Sequence, residues 1–336
     1  MKILVYGNYD SPHISTWEQF YEFDNNNYYL FLSKSDLVEK RNVISEILKI
    51  RKFIKENKID IVHTHSAGIY GIKSLFLNTP FIITIYGSEL FKCKDSITRK
   101  FIMDIILSNS QSISCTSIAS KNVIENLFPK HLKRTFLFNI PATKEFFNEN
   151  IKGKKYVFSN RRIGSLYHTK EIIKGFIIFK EKNKDENISL YLSDAYSDKG
   201  KYSDEVKNLI ENSKYKDSII MDSNIKTKAE LNKLYNQSIC FINIPKSDQL
   251  SLSFLEGVKA GCHPIVSNID AYSRLITEYN ISNIDIENDI ELQIAQKIED
   301  VSKGLEITDI NSINNNLNSL ETSFKVFKNF IGGKNK

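Results

Sequence analysis

Short β-rich runs alternate with helical ones along the whole chain, in two successive series, and that alternation admits few folds. Strands are expected over residues 2–6, 28–31, 59–62, 81–85, 112–115 and 134–138, with helices over 16–23, 43–57, 70–77, 96–108 and 120–127 between them. A second series of strands is expected over 156–159, 188–192, 219–221, 239–244 and 263–266. Strands separated by helix-length segments pair in parallel, and a parallel sheet must be covered on both faces. Two doubly wound α/β units in tandem are therefore predicted. The polar stretch 142–155 suggests the join, so we expect domains over 1–148 and 149–320, with a tail over 321–336 whose segment 321–330 has helical character. The Asn-rich run 311–318 reads as composition bias rather than an element. At 336 residues and 41% hydrophobic content the chain has enough apolar material for two cores.

Several classes are excluded early. The loop after the first strand, Gly7-Asn-Tyr-Asp-Ser-Pro-His13, has one glycine, whereas a nicotinamide or flavin site needs Gly-x-Gly-x-x-Gly there. Cys93, Cys115, Cys240 and Cys262 stand singly, which fits free thiols and a cytoplasmic protein. The segment 1–7 is too short in its apolar part for a signal peptide, and no run reaches the roughly 18 apolar residues of a membrane span. Any membrane association is then expected to be peripheral. Residues 1–148 carry 19 Lys and Arg against 14 Asp and Glu, and residues 149–336 carry 27 against 26, so the basic excess is N-terminal. We expect it around Lys40, Arg41 and the helix 47–55, whose Ile47, Ile50 and Ile54 form an apolar face opposite a cationic one. That cationic face is either a solvated helix surface or a partner for an anionic membrane. No reading motif accompanies the charge, so nucleic acid is not expected.

The most telling local feature lies between Pro245 and Val266. A short apolar strand, 239–244, runs into the loop Pro-Lys-Ser-Asp248-Gln-Leu-Ser251, and a helix then carries Leu252 and Glu256 until Gly261 stops it. Unpaired backbone N–H groups at such a junction attract anions, while carboxylates beside them accept from hydroxyls. Asp248 and Glu256 therefore suit a ligand with both phosphates and hydroxyls, a nucleotide sugar.

This stretch resembles the Glu-x(7)-Glu signature of retaining glycosyltransferases of family 4. Their GT-B fold sets two Rossmann-like doubly wound domains facing each other across a cleft. Against the family's Pro-Ser-x-x-Glu-Gly-Phe-Gly-Leu-Pro-x-x-Glu-Ala-x-Ala-x-Gly-x-Pro-Val, the spacing and the Ala-Gly-Cys-His-Pro-Ile-Val tail are kept. Asp248 replaces the first Glu, and Gln249 and Ser251 replace two glycines. The resemblance implies that Glu256 reads the donor ribose, that Asp248 meets the transferred sugar, and that Ser251 and Leu252 line the donor nucleotide site. Asn224, after the strand 219–221, would lie near the base. The family's Gly-Arg-Leu-x-x-x-Lys-Gly maps its Arg onto Arg162, fourteen residues before Phe176, with Arg161 as the alternative; its Lys column falls on Tyr167, leaving Lys170 as a substitute. Negative charge grows on a departing diphosphate, which explains the need for a fixed cation there.

N-terminal loops extend the resemblance. Ser11-Pro12-His13 before Trp17 is similar to the family's Ser-Pro-His-x-x-x-Trp opening, and Tyr86-Gly87-Ser88-Glu89 to its His-Gly-Ser-Asp. His13, His65 and this second loop would then serve the acceptor or the transferred sugar. His63 and His65 are expected to point to opposite faces of their strand, so that they do not share one metal, with one packing and the other facing the ligand. The expectation is a metal-independent, cofactor-free enzyme, cytoplasmic or peripheral on the inner membrane face. It would move a hexosyl unit from a UDP- or GDP-sugar to a glycan or lipid-linked acceptor, as in bacterial surface polysaccharide or glycoconjugate synthesis. A non-catalytic GT-B module binding glycan or partners, and an epimerase or phosphorylase of the same fold, are the alternatives.

Overall fold

Ile3 and Val5 point to one face of the first strand and Leu4 and Tyr6 to the other, and all four are buried. This two-sided burial marks a central parallel strand and recurs throughout the computed structural model. The structure describes residues 1–9, 12–32, 43–184, 187–195, 197, 200–306 and 308–333; the side chains of Pro12, His13 and Ser15 lie outside that description.

The chain divides into two units, Met1–Pro141 with Ser319–Lys336, and Ala142–Asn318. In the first, the order is β1 (Lys2–Tyr6), α1 (Pro12–Phe23), β2 (Tyr28–Phe31), α2 (Val43–Asn57), β3 (Ile61–His65), α3 (Ile69–Ser74), β4 (Phe81–Ile85), α4 (Ser88–Phe91), α5 (Ile97–Asn109), β5 (Ile113–Cys115), α6 (Ile118–Leu127) and β6 (Thr135–Leu137). The sheet order is β2-β1-β3-β4-β5-β6, all parallel. Helices α2, α5 and α6 bury Ile50, Ile54, Met103, Ile106 and Ile124 on one face.

The second unit runs β7 (Tyr156–Ser159), α7 (Thr169–Lys182), β8 (Ser189–Ser193), α8 (Lys201–Glu211), β9 (Ile219–Asp222), α9 (Lys228–Asn236), β10 (Ser238–Asn243), α10 (Leu252–Lys259), β11 (His263–Ser267), α11 (Ser273–Tyr279), β12 (Ser282–Ile284), α12 (Ile290–Ser302) and α13 (Ile310–Leu317). Its parallel sheet has the order β12-β11-β10-β7-β8-β9. The chain first winds outward from β7 through β8 to β9, then restarts at β10 on the other side. Adjacent strands whose connections leave in opposite directions open a crevice at their C-terminal ends, and β7 and β10 are that pair. The final helix, α14 (Leu320–Ile331), belongs to the first unit, where Phe324, Phe327 and Phe330 pack on Trp17, Phe20 and Phe138.

Two expectations need correction, and one on α2 is met in part. The Asn-rich run forms α13: Ile310, Ile313 and Leu317 give it an apolar stripe. Its asparagines also act as clamps, since Asn314 and Asn318 donate to the carbonyls of Val258 and Leu255, and the Asn318 amide oxygen accepts from Ala142 N. His63 and His65 do not part: strand side chains repeat every second residue, so both lie on one face, with ring centroids 4.2 Å apart. The expected apolar face of α2 is built into the core through Ile50 and Ile54, while Lys40 and Arg41 lie outside the described residues.

Gly257 fixes how α10 sits on β10. A Cβ at this position would lie 2.5 Å from Phe241 Cε1, so only glycine lets the helix approach that ring. Gly257→Ala is therefore expected to cost about 2 kcal/mol through forced overpacking. That corresponds to a fall of roughly 5 °C in the melting temperature. An unchanged melting curve would show that this helix has room to move.

Candidate functional site

At the β7/β10 crevice three loops, those after β7, β10 and β11, supply side chains. The loop after β10 ends at Ser251, the N-cap of α10, whose Oγ accepts from Phe254 N at 3.2 Å. Asn243, the last residue of β10, donates to Ser251 Oγ at 3.0 Å and approaches the Tyr272 hydroxyl at 2.7 Å; Tyr272, from the loop after β11, also donates to Ser251 Oγ at 3.1 Å. The first turn of α10 is thus fixed by a buried network, with the backbone N–H groups at its start held in place.

Arg161, in the loop after β7, crosses to this network. Its Nη1 donates to Ser253 Oγ at 3.1 Å, its Nη2 lies 3.0 Å from Asp248 Oδ2, and its guanidinium sits 4.4 Å over the Tyr167 ring. The Arg161 and Asp248 side chains are 15% and 18% exposed. Burial raises the Asp248 pKa and Arg161 partly offsets that, while the pair holds Arg161 protonated. Arg162 is exposed, 5.9 Å from the same ring.

Glu256, one turn into α10, is 8% exposed and accepts no hydrogen bond from a described residue. Burial pushes its carboxyl up to about 7, with Lys228 and Arg161 pulling it back only in part. A desolvated carboxylate near a helix N-terminus, lacking its own donors, is poised to accept from a ligand's hydroxyls. Beside it, Tyr235 donates to Ser253 O at 2.9 Å and receives from Asn160 at 3.2 Å.

Two expected residues stand apart. Lys170 pairs with Glu205 and lies 4.6 Å over the Tyr202 ring, so its ammonium is engaged by α8 rather than by Arg161 and Asp248. Asn224 caps the turn after β9, its N and Nδ2 both donating to Asp222 Oδ1 at 2.9 and 2.7 Å. Lys226 and Tyr191 also contact Asp222 and hold its carboxyl well below the usual range.

In the first unit a buried polar chain crosses the ends of β3, β4 and β5. Ser114 Oγ meets Thr84 Oγ1 at 2.8 Å, Thr84 meets His63 Nε2 at 2.8 Å, and the Tyr21 hydroxyl bridges His63 Nδ1 at 3.1 Å and His65 Nε2 at 2.9 Å. His65 Nδ1 then reaches the Tyr86 hydroxyl at 2.7 Å. Burial, helped by neighbouring His65, lowers the His63 pKa strongly and keeps that ring neutral. Glu89 tightens the next loop by accepting from Tyr86 N and Ala67 N, each at 3.2 Å, and from Ser88 Oγ at 3.3 Å. Gly87, at φ +100°, makes the turn that aims Tyr86 inward. His13 falls in the first turn of α1, and its side chain lies outside the described residues.

Residues 141–308, half of the chain, match the family model for glycosyl transferases group 1, and residues 13–117 match that for glycosyl transferase 4-like domains. The chain belongs to glycosyl transferase group 1. Among curated proteins no sequence matches it. Solved structures show its GT-B architecture. A glycosyltransferase from Rickettsia africae is 15% identical, with a TM-score of 0.71 over 100% of this chain and 99% of that one. Sucrose-phosphate synthase from Thermosynechococcus elongatus is 12% identical, with a TM-score of 0.75 over 98% of each chain. Anabaena HepE in complex with UDP and glucose is 13% identical, with a TM-score of 0.74 over 99% of this chain and 100% of that one.

This glycosyltransferase thus gathers Arg161, Asp248, Ser251 and Glu256 in one unit, and His65, Tyr86 and Glu89 in the other. Sequence reading did not anticipate Asn243, Ser253, Tyr235 or Tyr272. Asn243 had a signal, a polar residue ending an otherwise apolar strand at a crevice-forming position. Tyr235 and Tyr272 come from α9 and the loop after β11, and nothing in their local pattern distinguishes them from ordinary packing aromatics. Among the described residues, no helix is long and apolar enough to cross a membrane, and no group of three or more His, Cys, Asp or Glu is placed to hold a metal ion. The four cysteines are buried free thiols.

Proposed function

We propose that the chain is a retaining glycosyltransferase whose second unit binds a nucleoside diphosphate sugar, UDP in preference to GDP, and moves its hexosyl group to a hydroxyl of a glycan or lipid-linked acceptor. The observation that carries this reading is the buried Glu256 carboxyl group, without a hydrogen-bond donor among the described residues, beside the α10 N-terminus and Arg161. The diphosphate would lie against the N–H groups of α10, and Glu256 would accept from the ribose hydroxyls. HepE with UDP-glucose and TarM with UDP, both of this fold, support the choice of base.

In the transfer step the C1–O bond to the β-phosphate breaks while C1 bonds to the acceptor oxygen on the same face. The acceptor proton passes to the departing phosphate oxygen, so no protein nucleophile is required. Arg161, with Arg162 next to it, meets the charge that grows on the diphosphate, and the α10 N–H groups share it. Asp248 contacts the transferred sugar, and its pairing with Arg161 couples sugar position to diphosphate position. The first unit holds the acceptor, with Tyr86, Ser88 and Glu89 as its contacts. A role in bacterial surface polysaccharide or glycoconjugate synthesis follows from this acceptor class.

Calorimetric titration with a panel of UDP- and GDP-sugars, alongside slow donor hydrolysis, tests the reading. UDP-sugar binding with hydrolysis is expected, and Glu256→Ala should weaken binding by roughly ten- to a hundredfold, the value of hydrogen bonds to a buried charge. Glycan binding without nucleotide binding, or interconversion of donor sugars without transfer, would overturn it.

A further inference from the structure

The N-terminal charge excess has a single address. Residues 1–91 carry ten Lys and Arg and ten Asp and Glu, residues 92–134 carry eight against three, and residues 135–148 carry one of each. Helix α2 itself carries four Lys and Arg against two Glu, and only the acids spread over the rest of residues 1–91 offset it and the Lys40-Arg41 pair in the sum. The net excess of +5 falls within residues 92–134, the stretch that contains α5.

This helix is apolar on two sides. Met103, Ile106 and Leu107 face the core, yet Ile97, Phe101 and Ile105, at i, i+4 and i+8 on the outer side, are 89%, 66% and 37% exposed. A helix covering a water-facing surface would carry polar residues in that row. An open cleft of about 400 Å³ lies beside the row, lined by Ile97, Phe101, Leu127 and Phe128 together with Lys100 and Lys130. Lys92, Lys94, Arg99 and Lys100 are all exposed. Asp104, also in the cleft lining, is already paired with Lys130 and His131.

We propose that this α5 face is a docking surface for an anionic phospholipid bilayer, with Ile97 and Phe101 entering the headgroup boundary and the surrounding lysines meeting lipid phosphates. Exposed aromatic and aliphatic side chains within a cationic field match such a surface in both respects. A second copy of the chain fits poorly, since a symmetric contact would oppose two patches of like charge. The inference rests on the first unit alone and is independent of the donor-site reading.

Vesicle co-sedimentation of the full chain tests it. Binding is expected to vesicles containing roughly one-third phosphatidylglycerol, not to phosphatidylcholine alone, and should fall as salt rises. The double variant Ile97→Ser/Phe101→Ser and the charge variant Lys92→Ser/Lys100→Ser should each weaken binding about tenfold or more. Ile44→Ser/Leu48→Ser on α2 should leave it unchanged. Thermal unfolding and far-UV circular dichroism, measured in parallel, should be the same in all variants, which verifies their folding. Absence of anionic-selective binding, retention of binding in both α5 variants, or equal loss in the α2 variant would overturn the proposal. So would a concentration-dependent dimer that Ile97→Ser/Phe101→Ser abolishes, because the face would then belong to a second copy.

Discussion

Arg161→Ala is expected to lower transfer by about a thousandfold, the scale seen when one charge-stabilising donor is removed from a transition state. The same substitution strips Asp248 of its counter-ion 3.0 Å away, in a site where burial already raises the carboxyl's pKa. Leaving one half of such a pair costs about 3 kcal/mol. The two consequences can be separated. In Arg161→Ala/Asp248→Asn the stranded charge is gone, so thermal stability should recover toward that of the parent while transfer stays low. Arg162→Ala keeps the Asp248 pair and should retain stability, with a smaller loss of rate. If the double variant regains transfer together with stability, Arg161 is a structural counter-ion and the charge on the diphosphate is met elsewhere.

That contrast between neighbours explains what was legible in the sequence. Alternating apolar runs specified both sheets because strand and helix periodicities are properties of the local chain, and burial of Ile3 to Tyr6 on two faces follows from them directly. Loops have no such period. Counting back from Phe176 designates Arg162, yet the turn after β7 swings Arg161 inward onto Ser253 and Asp248, and one residue of phase is all that separates the two. Charge shows a related limit: a cationic face is visible along α2, whereas the acids that offset it in the sum over residues 1–91 emerge only from a count over a longer stretch. The Asn-rich α13 escaped notice because its stabilisation is tertiary. Its helical stripe is short, and the amides that hold it reach carbonyls near Val258 and Leu255, about 60 residues back in the chain.

Glu256 makes the strongest pH-dependent prediction. Its folded-state pKa of about 7 exceeds the ordinary value of 4.5, and burial is the main cause. Between those values the folded chain binds a proton that the unfolded chain has lost, so this group's contribution to stability is present at low pH and disappears as pH rises through 7. Glu256→Gln removes the liability of the buried charge. It should therefore stabilise the ligand-free protein above pH 8 by up to about 3 kcal/mol, and change little at pH 4. Donor binding should run the other way, because only the ionised carboxylate accepts two ribose hydroxyls. UDP affinity should be flat above pH 8 and fall about tenfold per pH unit below 7, until the bound-state pKa is reached, whereas the Gln variant should bind weakly at every pH. Parallel calorimetry and thermal melts across pH 5 to about 9 read both slopes. A parent protein whose nucleotide affinity is level from pH 5 upward would mean that Glu256 carries no ribose contact, even if the α10 N-terminus still holds the diphosphate. Opposite signs for the two slopes, both lost in the Gln variant, would identify one carboxyl group that destabilises the empty fold and strengthens the loaded one.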